Sequence, residues 1–125
     1  MSVAQTLGQP PEQVFKTLVT KGASGAYYVF DIPVAENLDL KKAAKAVGEK
    51  SVAMLPQKEL LPLTGYVHGG CSPVGMKKQF PTVFQETALL YDTVCVSAGK
   101  IGHQVECDPN ALIALLRAKT ADVIV

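Results

Sequence analysis

Apolar and polar positions repeat along this chain at two different periods. At helical spacing, the run LDLKKAAKAVGEK sets Leu40, Ala43, Ala44 and Val47 on one face, with Asp39 as N-cap and Gly48 as stop. The run CDPNALIALLRAK repeats the design, with Asp108 as cap, Pro109 in the first turn, and a stripe of Ala111, Leu112, Leu115 and Leu116. A third, shorter helix is predicted from Pro56 to about Leu63, ending at Gly65. Strand patterns lie between. AYYVFDI follows the turn-like KGASG, and DTVCVSA and HQVEC flank GKIG as a hairpin about a glycine turn. ADVIV closes the chain as a short buried strand.

Hairpins interleaved with helices predict an α/β protein of the α+β type. Its sheet is mixed, largely antiparallel, and curved or closed, with helices packed on it. Neither GxGxxG nor GxxxxGK[ST] occurs, so the doubly wound nucleotide folds and their phosphate cradles have no support. A chain of 125 residues with 48% hydrophobic and 18% charged residues fits one domain, residues 1–125, with a core of its own.

The pattern breaks at TGYVHGGCSPVGMKK, Thr64 to Lys78, where four glycines and a proline exclude both regular structures. Long irregular loops in compact domains usually carry a task. Gly65, Gly69, Gly70 and Gly75 permit positive φ and close approach of a ligand to bare backbone. Amides near Gly69 and Gly70 can point at one anionic or carbonyl oxygen, and Pro73 fixes the bend after Ser72. A plain surface turn is the competing reading.

Net charge is +1, so any contact with nucleic acid has to come from a local patch. Lys77 and Lys78 end the loop, and Lys100 in SAGKIG joins them if the hairpin turn lies nearby. The cysteines Cys71, Cys95 and Cys107 are odd in number and lack CxxC spacing, which argues against a disulfide framework and against zinc. Cys95 sits in an apolar run and reads as core. Cys71 and His68 offer a thiol with a base, but their spacing on a loop fixes no geometry and no third orienting group is evident. His103 forms no metal pattern with His68. No signal core and no apolar run approaching the ~18 residues of a membrane span occurs, so a soluble, cytoplasmic protein with reduced thiols is expected.

In QVFKTLVT, Lys16 has two readings. In a helix it faces solvent. In a strand it shares a face with Val14 and Leu18 while Phe15, Thr17 and Val19 cover the other, and a lysine on a covered face needs a partner or a task.

VFKTLV, LDLKKAAKAVG, TGYVHGGCSPVGMKK and VSAGKIGHQVECDPNAL stand in the order and spacing of the YbaK/EbsC family, which the chain resembles from about Leu7 to Ile124. These are free-standing aminoacyl-tRNA deacylases related to the editing domain of bacterial prolyl-tRNA synthetase. The resemblance implies a curved mixed sheet approaching a barrel, flanked by helices. It also implies hydrolysis of mischarged tRNA, chiefly cysteinyl-tRNA(Pro), with no metal and no other cofactor. The implied partners are the 3′ aminoacyl end of the tRNA and the synthetase, with no membrane.

The family's essential lysine falls on Lys16, which favours the strand reading, and its neighbouring threonine falls on Thr17. The substrate loop begins at Gly69 and continues through Gly70, Cys71, Ser72 and Pro73; the serine after the next strand falls on Ser97. Lys16, Gly69 and Gly70 are thus the implied catalytic positions. Thr17, Cys71, Ser72, Pro73, Ser97, Lys77 and Lys100 are the implied substrate contacts. Some members carry an aspartate where this chain has Gln104. Members also carry an N-terminal helix and strand, with aromatic side chains for the pocket, ahead of the point where this chain begins. An uncovered strand edge would follow, and with it a homodimer or an edge covered by the residues before Pro10. A module that binds a tRNA end or nucleotide without turnover is the rival function.

Overall fold

The computed structural model describes residues 13–67, 70–100 and 102–125. Seven strands and three α-helices follow one another in these segments. They are β1 Phe15–Gly22, β2 Tyr27–Pro33, α1 Leu40–Val47, β3 Val52–Met54, α2 Gln57–Thr64, β4 Thr82–Gln85, β5 Val94–Ser97, β6 Gln104–Cys107, α3 Pro109–Leu116 and β7 Lys119–Ala121. A 3₁₀ turn, Glu86–Leu90, follows β4.

The two expected caps hold their helices. The Asp39 carboxylate accepts from the Lys41 and Lys42 amides at 3.0 and 3.1 Å, and Gly48 leaves α1 at φ 74°. Asp108 accepts from the Asn110 amide at 2.9 Å to open α3. The third helix also forms as expected and ends at Gly65, φ 87°.

Five strands form one sheet in the order β3-β1-β2-β4-β7. β1 is antiparallel to β2 and β3, whereas β2–β4 and β4–β7 are parallel. The expected glycine hairpin is β5–β6, a separate antiparallel pair tied to β1 by a bridge between Val14 and Cys95. The sheet is therefore mixed and remains open. Pairing is handed over at the ends of β1 rather than run continuously into a barrel.

The core has two sides. On one, α1 covers Phe30, Ile32 and Val83 with Ala43 and Ala44, and Val123 joins them. On the other, Phe15 and Phe84 pack with β5 and α3, while Val19 and Val29 pack with Leu60 of α2 and with Cys71, Met76 and Phe80. Cys95 is buried, as its apolar run implied.

Three expectations need correction. The last strand is Lys119–Ala121, upstream of the ADVIV core. Past Ala121 the Val123 amide donates to the Gln85 side chain at 2.7 Å instead of to a ladder, and only an isolated bridge from Leu38 to Ile124 follows. The buried face of α3 is Pro109, Leu112 and Leu116, with Ala111 exposed and Leu115 69% exposed, because the helix docks rotated from its expected stripe. Likewise Leu40 of α1 is exposed on its solvent side, and Ala43 and Ala44 make the close contact with the sheet. Strands β3 and β4 carry no turn-bounded alternation long enough to announce them.

Candidate active site

Strand β1 is paired with β2 along its whole length on one edge. Its other edge is shared. β3 takes Thr20 to Gly22, the Leu55 amide takes the Val19 carbonyl at 3.0 Å, and Cys95 bridges to Val14. Between these contacts, from Phe15 to Leu18, no ladder pairs with this edge among the described residues, although β5 runs close to its start. A cleft of about 190 Å³ opens there, lined by Phe15, Lys16, Thr17 and Leu18 and closed by Val34, Leu60, Cys71, Ser97 and Gln104. Because the cleft meets β1 edge-on, it collects residues that alternate between the two faces of the strand. Lys16 and Thr17 therefore reach the same space although they point to opposite sides of the sheet.

Lys16 lies in a strand and is half-buried, as the family resemblance favoured and the helical reading did not. Thr17 sits directly across from Asp31 on β2 and donates its hydroxyl to Asp31 Oδ1 at 2.5 Å. Asp31 is fully buried, and its Oδ2 has no hydrogen-bond partner among the described residues. Burial pushes the carboxyl up to about 7, against the opposing pull of the Thr17 hydrogen bond.

The loop after α2 delivers Cys71. Tyr66 shapes this loop by donating its hydroxyl to the Val74 carbonyl at 2.6 Å. Gly75 has φ 78°, and a Cβ there would stand 2.9 Å from the Tyr66 hydroxyl, so only glycine fits. Gly99, in the β5–β6 turn, lies against the same ring, where a Cβ would come within 3.0 Å. Tyr66 thereby joins loop to hairpin, which brings the turn carrying Lys100 next to the loop. Ser97 lines the cleft, and its hydroxyl accepts from the Gly99 amide at 3.2 Å.

Of the residues expected to form the site, Lys16, Thr17, Cys71 and Ser97 meet in the cleft. Ser72 and Pro73 are buried beside it, and Ser72 Oγ accepts from the Val74 amide at 3.2 Å. Gly70 departs from expectation. Its amide donates to the Val67 carbonyl at 3.0 Å, so a turn already uses the donor proposed for a substrate oxygen. Gly69 and His68 lie outside the described residues, as do the residues before Gln13.

Lys77 also sits elsewhere than expected. Its side chain packs on Gly65 and reaches the Pro62 carbonyl at 3.4 Å, which places its charge on the C-terminal end of α2. Lys78 stands over the Phe80 ring at 5.9 Å. Lys100 is exposed on the hairpin turn, outside the cleft lining. The Cys71 thiol is buried and pushed up to about 12, by burial first and by the charge of Asp31 second, while a hydrogen bond with Thr64 pulls it down. At neutral pH it is a neutral thiol, the wrong form for a nucleophile.

Sequence reasoning missed Asp31. The signal was present, since an acidic residue inside the apolar run AYYVFDI is costly unless it is used. No group of three or more potential metal-ligating side chains exists among the described residues. No described helix is long and apolar enough to cross a membrane.

The chain is similar to known proteins over nearly all of its length. A family model described as "Aminoacyl-tRNA editing domain" matches residues 1–115. A protein of Enterococcus faecalis (strain ATCC 700802 / V583) named "Putative Cys-tRNA(Pro)/Cys-tRNA(Cys) deacylase EbsC" is 50% identical over 122 residues, covering 98% of this chain and 74% of that protein. A solved structure described as "a putative trans-editing enzyme for prolyl tRNA synthetase" superposes with a TM-score of 0.88 at 32% identity, covering 98% of this chain and 76% of that one. The structure of the hypothetical protein APE2540 superposes with a TM-score of 0.89 at 27% identity, over 98% and 81% of the two chains.

Proposed function

The chain belongs to the aminoacyl-tRNA editing domain family, and from that premise we propose that it is a deacylase acting in trans on mischarged tRNA, with cysteinyl-tRNA(Pro) as its substrate. The observation that carries the reading is the convergence of Lys16, Thr17, Cys71 and Ser97 on one cleft at the open edge of β1. The cleft is smaller than the roughly 300–1,000 Å³ of sites that enclose drug-sized ligands, which suits an aminoacyl group with its nucleotide lying outside.

Lys16 is the one cation among the described residues that line the cleft. It holds the ester oxygens, or the terminal nucleotide, and favours the negative charge that grows on the carbonyl oxygen as the ester is attacked. The neutral Cys71 thiol supports a nucleophile supplied by the substrate. The cysteinyl thiol attacks its own ester carbonyl and a C–S bond forms. The C–O bond to the ribose then breaks, the thiol proton goes to the departing ribose oxygen, and a thiolactone leaves. Such chemistry separates cysteine from amino acids of similar size more sharply than the roughly 10–200-fold that a pocket achieves on one methylene. Prolyl-tRNA synthetase as the delivering partner, self-association, and a cytoplasmic location belong to the same proposal. Light scattering of the chain alone and with the synthetase reads the first two.

The test is deacylation of cysteinyl-, alanyl- and 2-aminobutyryl-tRNA(Pro). Fast loss of cysteine with slow loss of aminobutyrate, which matches it in size but has no thiol, is the expected result. Binding of all three with no acceleration of hydrolysis would favour a tRNA-end binding module instead.

A further inference from the structure

We propose that Asp31 is a positioning residue that presents the Thr17 hydroxyl, backed by a buried negative charge, as an acceptor to the α-ammonium group of the substrate's aminoacyl moiety. The inference rests on the deacylase reading above and extends it to a group that reading does not use.

Asp31 lies behind the cleft wall. β1 supplies Thr17 opposite it, β4 supplies Phe84 on its other side, and the loop supplies Cys71, whose thiol feels the Asp31 charge and is itself hydrogen-bonded with Thr64 of α2. None of these neighbours is a cation. Lys16, one position from Thr17, belongs to the opposite face of the sheet and meets Thr17 only at the cleft. Among the described residues, Asp31 therefore carries a carboxyl group into an apolar setting with one hydrogen bond and one unpartnered oxygen. Buried polar groups are ordinarily satisfied, and an exception calls for a cause.

The Thr17 hydrogen bond supplies one. A hydroxyl has a single proton, and Thr17 gives it to Asp31. Its lone pairs are left for the cleft, where they accept from a donor. The substrate brings two kinds of donor: the ribose hydroxyls and the α-ammonium. Only the ammonium gains from a negative charge held directly behind Thr17, and its arrival also favours the ionised form of a carboxyl that burial pushes up to about 7. Lys16 and Asp31 thus divide the aminoacyl ester between them, the cation taking the ester oxygens and the carboxylate, through Thr17, the amine.

The test uses two stable probes, 3′-alanylamino-3′-deoxyadenosine and its 3′-propionylamino counterpart, which differ only in the α-amino group. Their Kd values are measured by calorimetry at pH 7.5 on wild type, Asp31→Asn, Thr17→Val and Thr17→Ser. The wild type is expected to prefer the amine-bearing probe about tenfold, as a hydrogen bond to a charged group allows. The preference is expected to vanish in Asp31→Asn and Thr17→Val and to return in Thr17→Ser. Equal preference in wild type and Asp31→Asn overturns the proposal, as does an Asp31→Asn protein that loses affinity for both probes alike. Either result leaves the deacylase reading standing if cysteinyl-tRNA is still hydrolysed. A wild type that binds neither probe and hydrolyses no cysteinyl-tRNA defeats that reading, and this proposal with it.

Discussion

The two faces of the five-stranded sheet differ in how completely their buried polar groups are satisfied. On the face covered by α1, Gln85 is satisfied at both ends, donating to Asp122 at 3.2 Å and accepting from the Val123 amide at 2.7 Å. Thr20 on the same face donates to the Tyr28 carbonyl at 3.1 Å. These groups hold the chain's last residues and the strand pairing in place, among Phe30, Ile32 and Val83. On the other face the apolar packing is split into two clusters, one around Phe15 and Phe84 and one around Val19 and Val29. Thr17 and Asp31 lie in register between them, with one carboxylate oxygen left unpaired among the described residues. The first face is arranged for stability. The second gives up satisfied packing where the cleft forms.

The comparison breaks most visibly at Phe30. It is fully buried on the α1 face, and Phe30→Ala should cost about 3–5 kcal/mol of a total stability near 5–15 kcal/mol. Urea unfolding reads the loss. A shift below about 1 kcal/mol would mean that this face is not the principal core.

Asp31→Asn should act with the opposite sign. Folding raises the Asp31 pKa from 3.8 to about 7, so the folded state favours the protonated acid. That contribution is full below pH 4 and fades as pH rises through about 7, by at most about 1.4 kcal/mol per pH unit. Asparagine cannot ionise. The variant should match wild type in thermal melts at pH 3.5 and exceed it at pH 8. Equal melting at both pH values would show that the carboxylate finds a partner in solution.

Gln85→Leu should cost about 1–3 kcal/mol, because it strands the Val123 amide in the interior. An unchanged urea midpoint would remove the contrast drawn between the two faces. The smallest effect belongs to Cys71→Ser, which should keep most deacylase activity, since the buried thiol stays neutral at working pH. Lost activity, together with rapid alkylation of the wild-type thiol at pH 7, would restore the cysteine nucleophile.

Local signals carried much of this fold. Asp39 with Gly48, and Asp108 with Pro109, mark their helices because caps act within a turn of the chain, and Gly99 and Gly102 mark the hairpin by their positive φ. What escaped was decided at long range. β4 is a short run, Thr82–Gln85, that becomes a strand by lying between β2 and β7. α3 turns Leu115 outward because of what it docks against. The site divides the same way. Family spacing pointed to Lys16 and Thr17, yet their meeting with Ser97 and Gln104 depends on β1 handing its edge from β3 to β5. Asp31 was hidden because an acidic residue in a strand pattern reads as a solvent-facing position until its neighbours are known.

The central claim is that Lys16 serves the cleft and not the core. Single-turnover deacylation of cysteinyl-tRNA(Pro) by wild type and Lys16→Ala, paired with thermal melts of both, tests it directly. The variant should melt with the wild type and lose about 100-fold or more in rate, as removal of a preorganised charge at a developing oxyanion does. A well-folded Lys16→Ala protein that hydrolyses cysteinyl-tRNA at the wild-type rate would contradict the account.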